Sequence, residues 1–467
     1  VVPLGAPPVD ALVRAVGTLA RPALLVSGPA PGDAGRFSVL AAEPFAEFRA
    51  VGTRWAIDRI APGGEATAEA AGADDPLGAL ARWLEAAGLN APAGPEIDAE
   101  SLPFRGGAIG FYGYDLAPRI ERLPRRVPRD SALPDILFGR HDTAVVVDHA
   151  TGTAAIVATD DRGEGDTARL RRLDRWRARL ENPPPPPTPG RPDGPLASNV
   201  EPAAYRAAVR RALEYIAAGD IFQVNLSQRF AAPGPFDPLD LFLRLRRVSP
   251  APFAAMLRRP GWSVVSASPE WFYQTRGDRI VTRPIKGTRP RGASPEADAR
   301  LAAELLASEK DRAELTMIVD LERNDLGRVC RYGSVKVSEA LAVESFAQVH
   351  HLVATVEGVL RPGAGPVDVV RAMFPGGSIT GAPKIRAMEI IDELEPNRRG
   401  LYTGAIGYYT PGASGFNIAI RTLVLEGGRA TFGVGGGIVA DSDPEREFEE
   451  TLHKGRGIRA VLDGEGA

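Results

Sequence analysis

Alternating apolar and polar positions divide the chain into many short strands and fewer helices. Before residue 182, the runs PALLVS (22–27), RFSVLAAEP (36–44), RWAIDRI (54–60), GGAIGFYGYDL (106–116) and TAVVVDH (143–149) read as strands separated by turn-rich loops. DTARLRRLDRWRARLE (166–181) has the helical period instead. Leu170, Leu173 and Leu180 are predicted to share its buried face, with its arginines on a solvated one. NPPPPPTPGRPDGP (182–195) cannot continue a helix, because consecutive prolines favour an extended, solvated chain. It reads as a linker between an N-terminal region, 1–181, and a second region, 196–467. There, helices are predicted over 202–218, 295–307, 311–326, 384–394 and 444–462. Strands are predicted at WSVVSAS, RIVTRPI, VKVSEAL, GAIGYYT, FNIAIRTLVLE and RATFGVGGGIV. Sequential strands with short turns point to antiparallel meanders rather than βαβ units.

Composition narrows the function classes. With 467 residues, 44% hydrophobic and 25% charged, the chain can bury a large core, which excludes general disorder. Lys plus Arg (56) nearly balances Asp plus Glu (59), so nucleic acid is not expected as the main partner. The single cysteine, Cys330, excludes an intrachain disulfide or a thiolate zinc site and fits a reducing compartment. No apolar run approaches the ~20 residues of a membrane span, and no signal core is recognisable, so a cytoplasmic protein is expected.

Several constellations have chemical potential. Asp311 and Glu314 share a helix face, as do Glu447, Glu450 and Lys454. Either set alone also describes an ordinary solvated flank with ion pairs. Brought together, they would suit a hard cation such as magnesium. FPGGSITGAPKIRAMEII (374–391) has a proline suited to a helix start, with Ser378 or Thr380 as candidate caps, but lacks the Gly-Lys-Ser/Thr of a phosphate loop. GVGGGIV (433–439) allows close backbone approach by a ligand, or marks a bulge. Lys286 follows a strand before a Gly-Thr turn, where a solvated charge is the plain alternative to a nucleophile. Glu270 lies at a strand end before aromatics, and partial burial would suit it to donate a proton. His350 and His351 lie in an apolar run and default to structural roles; no zinc spacing occurs.

In order along the chain stand YIAAGDIFQVNLSQRF, SASPEWF, PIKGTRPRG, DLERNDLGRV, FPGGSITGAPKIRAMEIIDELEP, RRGLYTGAIGYY and DSDPEREFEETLHKGRGI. Together they closely resemble the chorismate-utilising enzymes, the family of the anthranilate, aminodeoxychorismate and isochorismate synthases, over about 200–462. LLVSG and RFSVLAAEP resemble the family's N-terminal region more loosely. The resemblance implies an α+β fold of large antiparallel sheets packed face to face with helices outside, both sequence regions sharing one core. It implies Glu314 and Glu450 as direct magnesium ligands, with Asp311 and Glu447 as supporting acids. Arg421, Tyr402, Lys454 and the amides around Gly435 and Gly437 would hold the two carboxylates of chorismate. His351 and Ser378 would line the ring, with Gln223, Gly287 and Thr288 also at substrate-binding positions. Glu270 would be the general acid for the carbon 4 hydroxyl.

Two positions discriminate among the family's reactions. Isochorismate and salicylate synthases carry a water-activating lysine where this chain has Gln223, which favours ammonia as the nucleophile. PIKGT, with Lys286 at its third position, is typical of enzymes that aminate chorismate at carbon 4, whereas anthranilate synthases typically read PIAGT. The implied activity is formation of 4-amino-4-deoxychorismate through a covalent lysine intermediate, for 4-aminobenzoate and folate synthesis, with anthranilate synthesis as the alternative. Cys330 in RVCRYGSV lacks the setting of a glutaminase nucleophile, which implies a separate glutaminase subunit as ammonia source. Val26 replaces the acid of the LLES motif of tryptophan-inhibited relatives, so tight tryptophan feedback is not expected.

Overall fold

The computed structural model describes residues 1–28, 35–90, 102–346 and 349–464, and every candidate site residue lies among them. Strand Gly107–Tyr112 shows how the layers arise. It is buried along its whole length, and its alternating side chains enter two different cores. Ile109 and Phe111 join one, Ala108 and Tyr112 the other, as the two-residue period of a strand requires. Repeated across the chain, this pattern makes two 12-stranded sheets in which every pairing between named strands is antiparallel. The core between the sheets joins Val39, Ala255 and Val264 of one to Ile109, Leu137 and Ile406 of the other. Helices cover the outer faces: Val9–Gly17, Asp166–Glu181 and Pro238–Val248 on the first sheet, and Pro76–Ala86, Glu309–Gly327 and Pro366–Met373 on the second. The α+β fold of face-to-face sheets is thus observed.

Both sheets take strands from either side of the proline-rich stretch. Ala23–Val26 pairs with Phe253–Arg259, and Gly107–Tyr112 pairs with Ala405–Thr410. The stretch itself runs along the body: Arg14 Nε donates to the Pro184 carbonyl at 3.1 Å, and the Asp193 amide donates to the Pro233 carbonyl at 2.9 Å.

Four local expectations are corrected. Helix Asp166–Glu181 buries Arg172, Leu173 and Trp176, while Leu170 is 55% exposed. Arg172 is not solvated, because it bridges Asp142 and Glu164. The predicted helix over 444–462 divides at Gly455 into Pro444–Lys454 and Arg456–Leu462, which lets Ile458, Val461 and Leu462 turn into the core beside helix Pro238–Val248. FNIAIRTLVLE is two strands in different sheets, Ala413–Ile418 and Thr422–Glu426; an apolar run reads the same whether or not it changes sheet. Finally, neither Ser378 nor Thr380 caps helix Lys384–Leu394; Pro383 occupies the cap, and Thr380 Oγ1 bonds the Gly376 carbonyl at 2.9 Å.

Candidate active site

Two neighbouring chain segments leave one sheet for the other at the same place, and this creates the site. One passes from Trp262–Ser268 to Trp271–Arg276 and carries Glu270; the other passes from Ala413–Ile418 to Thr422–Glu426 and carries Arg421. The corners are laced together. The Ile418 amide donates to the Glu270 carbonyl at 3.1 Å, the Ala267 amide to the Arg421 carbonyl at 3.0 Å, and Ser268 Oγ to the Ile418 carbonyl at 2.6 Å. Arg421 turns with φ 49°, a left-handed conformation unusual for a residue with a side chain. Its guanidinium has no ion pair among the described residues, and burial lowers its pKa.

Glu270 is 7% exposed, and its Oε1 lacks a hydrogen-bond partner. Burial raises its pKa above the usual carboxyl range, against the pull of Ser378, Lys286 and Lys454. Lys286 belongs to strand Ile285–Pro290 rather than to a loop; the turn expected after it is a bulge at Gly287, φ 70°, between Lys286 and Thr288. Burial lowers the Lys286 amine below the ordinary lysine value. Glu314, Glu270 and Glu450 oppose that shift, and Lys454 adds to it. Lys286 therefore shares one electrostatic neighbourhood with the proton-donor candidate and both candidate metal acids. His351, on the paired strand Val349–Val359, bonds Thr288 Oγ1 through Nδ1 at 3.0 Å. Burial pushes its pKa down to about 4, so a neutral ring is favoured. His350 points elsewhere, to Ser345 and Asp298.

The acids lie on two capped helices. Ser308 caps Glu309–Gly327 at the Asp311 amide, and Asp443 caps Pro444–Lys454 at the Glu445 and Arg446 amides. Glu314 is raised by burial, with Lys286 and Lys310 opposing and Asp311 and Glu450 adding. Glu450 is lowered: burial acts upward, but Lys454, 2.7 Å away, outweighs it together with Lys310. Glu447 is buried and accepts from Ser442 Oγ at 2.6 Å; burial raises its pKa. Asp311 is paired with Arg289 at 3.3 Å beneath the Gly287 bulge. Among the described residues no three acids, histidines or cysteines converge as a ligand set. The all-oxygen donors suit a hard cation that takes one or two carboxylates and completes its shell with water and substrate oxygen, which is magnesium's habit.

The glycine strand is regular, without the bulge considered from sequence. Arg429–Ile438 pairs in unbroken register with Gln223–Pro233. Its glycines admit neighbours: a Cβ on Gly436 would lie 2.9 Å from Glu447 Oε2, on Gly437 2.9 Å from Gln223 Nε2, and on Gly433 2.4 Å from the Tyr402 ring. Lys454 Nζ donates to the Gly435 carbonyl at 3.0 Å. Gln223 is buried with both polar side-chain atoms unpartnered, as is Ser378 Oγ. Such orphans cost free energy unless something else satisfies them, so they mark a polar ligand's place. The Tyr402 ring lines a cleft of about 520 Å³ with Arg399 and Gly433, and Glu270 is among the groups acting on its hydroxyl. Burial raises that hydroxyl's pKa.

Two buried networks received no role from sequence. Arg399 binds both oxygens of Glu395 and the carbonyls of Ile379 and Asn225, bracing the strand that carries Gln223. Lys384 pairs with Asp325, next to Glu322. The strings DLERND and GAPK were visible, but nothing in their spacing shows that they meet.

Residues 31–460 match the family described as chorismate binding enzyme. Aminodeoxychorismate synthase component 1 of Salmonella typhimurium is 44% identical over 92% of this chain and 90% of its own length. Anthranilate synthase component 1 of Thermus thermophilus is 46% identical over 77% and 78%. The crystal structure of anthranilate synthase component I from Streptococcus pneumoniae superposes with a TM-score of 0.77 at 33% identity, covering 91% of this chain and 92% of that one. On that family match and these likenesses, the chain belongs to the chorismate-binding enzyme family.

Proposed function

We propose that this protein aminates chorismate at carbon 4, as an aminodeoxychorismate synthase component 1. Overall identity does not separate that activity from anthranilate synthesis, since relatives of both names are about equally similar. The observation that carries the choice is Lys286: an amine lowered by burial, in reach of a carboxyl raised by burial. Opposed shifts of this kind prepare a neutral nucleophile and a protonated acid at one pH.

The neutral Lys286 Nζ attacks ring carbon 2, both conjugated ring double bonds shift by one position, and the carbon 4 hydroxyl departs as water with the proton of Glu270. Ammonia then bonds to carbon 4, both double bonds shift back, and the bond from carbon 2 to Nζ breaks, returning the neutral amine. The Glu270 carboxylate takes the surplus proton of the new ammonium group, which restores the acid. Atoms balance as chorismate plus ammonia giving 4-amino-4-deoxychorismate plus water. Arg421, which has no ion pair among the described residues, Lys454 and the backbone along Gly435–Gly437 suit the substrate carboxylates. Neutral His351 and Ser378 line the ring. Glu314 and Glu450 would hold magnesium, with Asp311 and Glu447 in support; the cation supplies positive charge for the ring carboxylate.

Ammonia is proposed to come from a separate glutaminase subunit. Cys330 is buried, and burial pushes its thiol up to about 11, the opposite of an activated nucleophile. The deciding experiment supplies chorismate, magnesium and ammonium and identifies the product. We expect 4-amino-4-deoxychorismate without release of pyruvate. Anthranilate with stoichiometric pyruvate would overturn the reading.

A further inference from the structure

The steps above leave one buried carboxyl pair unused. Helix Glu309–Gly327 carries Glu322 and Asp325 three residues apart, 3% and 2% exposed. Asp325 has a cation: Lys384 Nζ bonds it and the Met373 carbonyl, the latter at 2.8 Å. Glu322 has no ion pair among the described residues. Its Oε1 accepts the Gly377 amide at 3.3 Å, and its Oε2 is buried without a partner. Gly377 opens the short turn Gly377–Ile379, whose next residue is Ser378.

That turn is held from two sides. Its far end is fixed by the Gln223 strand, where the Asn225 amide donates to the Thr380 carbonyl at 2.8 Å and Arg399 Nη1 donates to the Ile379 carbonyl at 3.0 Å. Its near end is tied to helix Glu309–Gly327 through Glu322. Among the described residues, three buried polar atoms near the turn make no well-formed hydrogen bond, Glu270 Oε1, Ser378 Oγ and Glu322 Oε2, with Ser378 close enough to Glu270 to pull its carboxyl's pKa down. Native structures leave few such atoms, and three around one turn mark a place organised for chemistry rather than for stability.

We infer that Glu322 is a positioning residue for the proton donor: it fixes the near end of the turn, so that Ser378 is presented to Glu270. It touches no substrate. Burial, and after it the adjacent Asp325, raises its carboxyl's pKa, which favours the protonated acid, and glutamine is that acid's isosteric mimic. The inference rests on the reading of Glu270 as the acid that protonates the leaving hydroxyl.

Three variants test it: Glu322→Gln, which keeps length and acceptor; Glu322→Asp, which keeps the carboxyl one methylene short; and Glu322→Leu. Chorismate consumption is followed whatever the product, and hydrogen exchange is followed at the Gly377 amide. We expect Glu322→Asp and Glu322→Leu to lower kcat by about tenfold or more with KM for chorismate changed less than about twofold, since misplacing a proton donor acts on the chemical step. Exchange at Gly377 should accelerate in the same two variants. Glu322→Gln should restore both readouts to within about threefold. The inference is overturned if Glu322→Asp folds and keeps its kcat, if KM moves instead of kcat, or if Gly377 exchange is unchanged in Asp and Leu alike. It is equally overturned if Glu322→Gln protects Gly377 yet is as slow as Glu322→Leu. Should the unmutated protein consume no chorismate, the proposed function fails, and the exchange measurement still decides whether Glu322 holds the turn.

Discussion

An amine attacks carbon only as the free base, and water is what keeps a lysine charged. Lys286 is partly withdrawn from water in a strand beside acids, and burial prevails over their pull. Removing its amine should therefore stop the covalent route and leave the carboxylate clamp in place. We expect Lys286→Ala to bind chorismate in an equilibrium assay but to lose most formation of 4-amino-4-deoxychorismate. Added ammonium should recover part of the turnover through the vacated space, with product shifting to the 2-amino isomer or to anthranilate. Lowered thermal stability with an unchanged product would make Lys286 structural instead. Glu314 and Glu450 act on each other as like charges and are balanced by Lys310 and Lys454. A cation would relieve them further. Glu314→Gln and Glu450→Gln are each expected to remove most activity, and a magnesium titration of the unmutated protein should show an absolute requirement. Full activity in a chelator would end that assignment.

Among the elements, the strand Arg429–Ile438 shows why glycine repeats there. It lies near one end of its sheet, its glycines pair with the strand Gln223–Pro233, and the side chains of Tyr402, Gln223 and Glu447 lie directly on its backbone. A Cβ at Gly433 would meet three Tyr402 ring atoms between 2.4 and 2.8 Å. We expect Gly433→Ala to destabilise by about 1–3 kcal/mol, the usual cost of overpacking. It should also raise KM for chorismate, because the Tyr402 ring must move. Thermal melts and steady-state kinetics check both parts, and an unchanged KM would remove Tyr402 from the substrate clamp.

For the whole molecule, the two sheets meet over buried charge as well as apolar side chains. Arg259 pairs with Glu47 and bonds the Arg21 and Pro22 carbonyls, with His141 close by. His141 is fully buried; its Nδ1 meets the Ala42 carbonyl at 3.1 Å and its Nε2 has no partner. Burial, with Arg259 and Arg162, lowers its pKa to about 3. The folded state thus holds it neutral, while the unfolded chain binds a proton below about 6.5. Stability from this group is complete above that pH and is lost as pH falls towards 3, by up to about 1.4 kcal/mol per unit. The thermal midpoint should accordingly drop on the acid side, and less steeply in His141→Asn. Equal slopes in both proteins would rule the histidine out.

Much of this was legible in the chain itself. Short apolar runs bounded by turns marked strands such as Trp262–Ser268 to the residue, because that strand is buried on both faces. Helices Asp166–Glu181, Pro295–Ala307 and Lys384–Leu394 were equally plain from their spacing and flanking breakers. The motif strings named the family and nominated Lys286, Glu270 and the four acids. Sequence could not show that Ile418 and Thr422 belong to different sheets, that Lys286 is withdrawn into a strand, or that Glu322 lies under the turn of Ser378. Those facts depend on contacts between segments far apart in the chain, and a local pattern of apolar residues is the same whichever layer it is buried against. Residue identity set which groups are present; only the tertiary structure decided which of them meet, because segments far apart in the chain are brought together there, and burial lowers the Lys286 amine's pKa and raises the Glu270 carboxyl's.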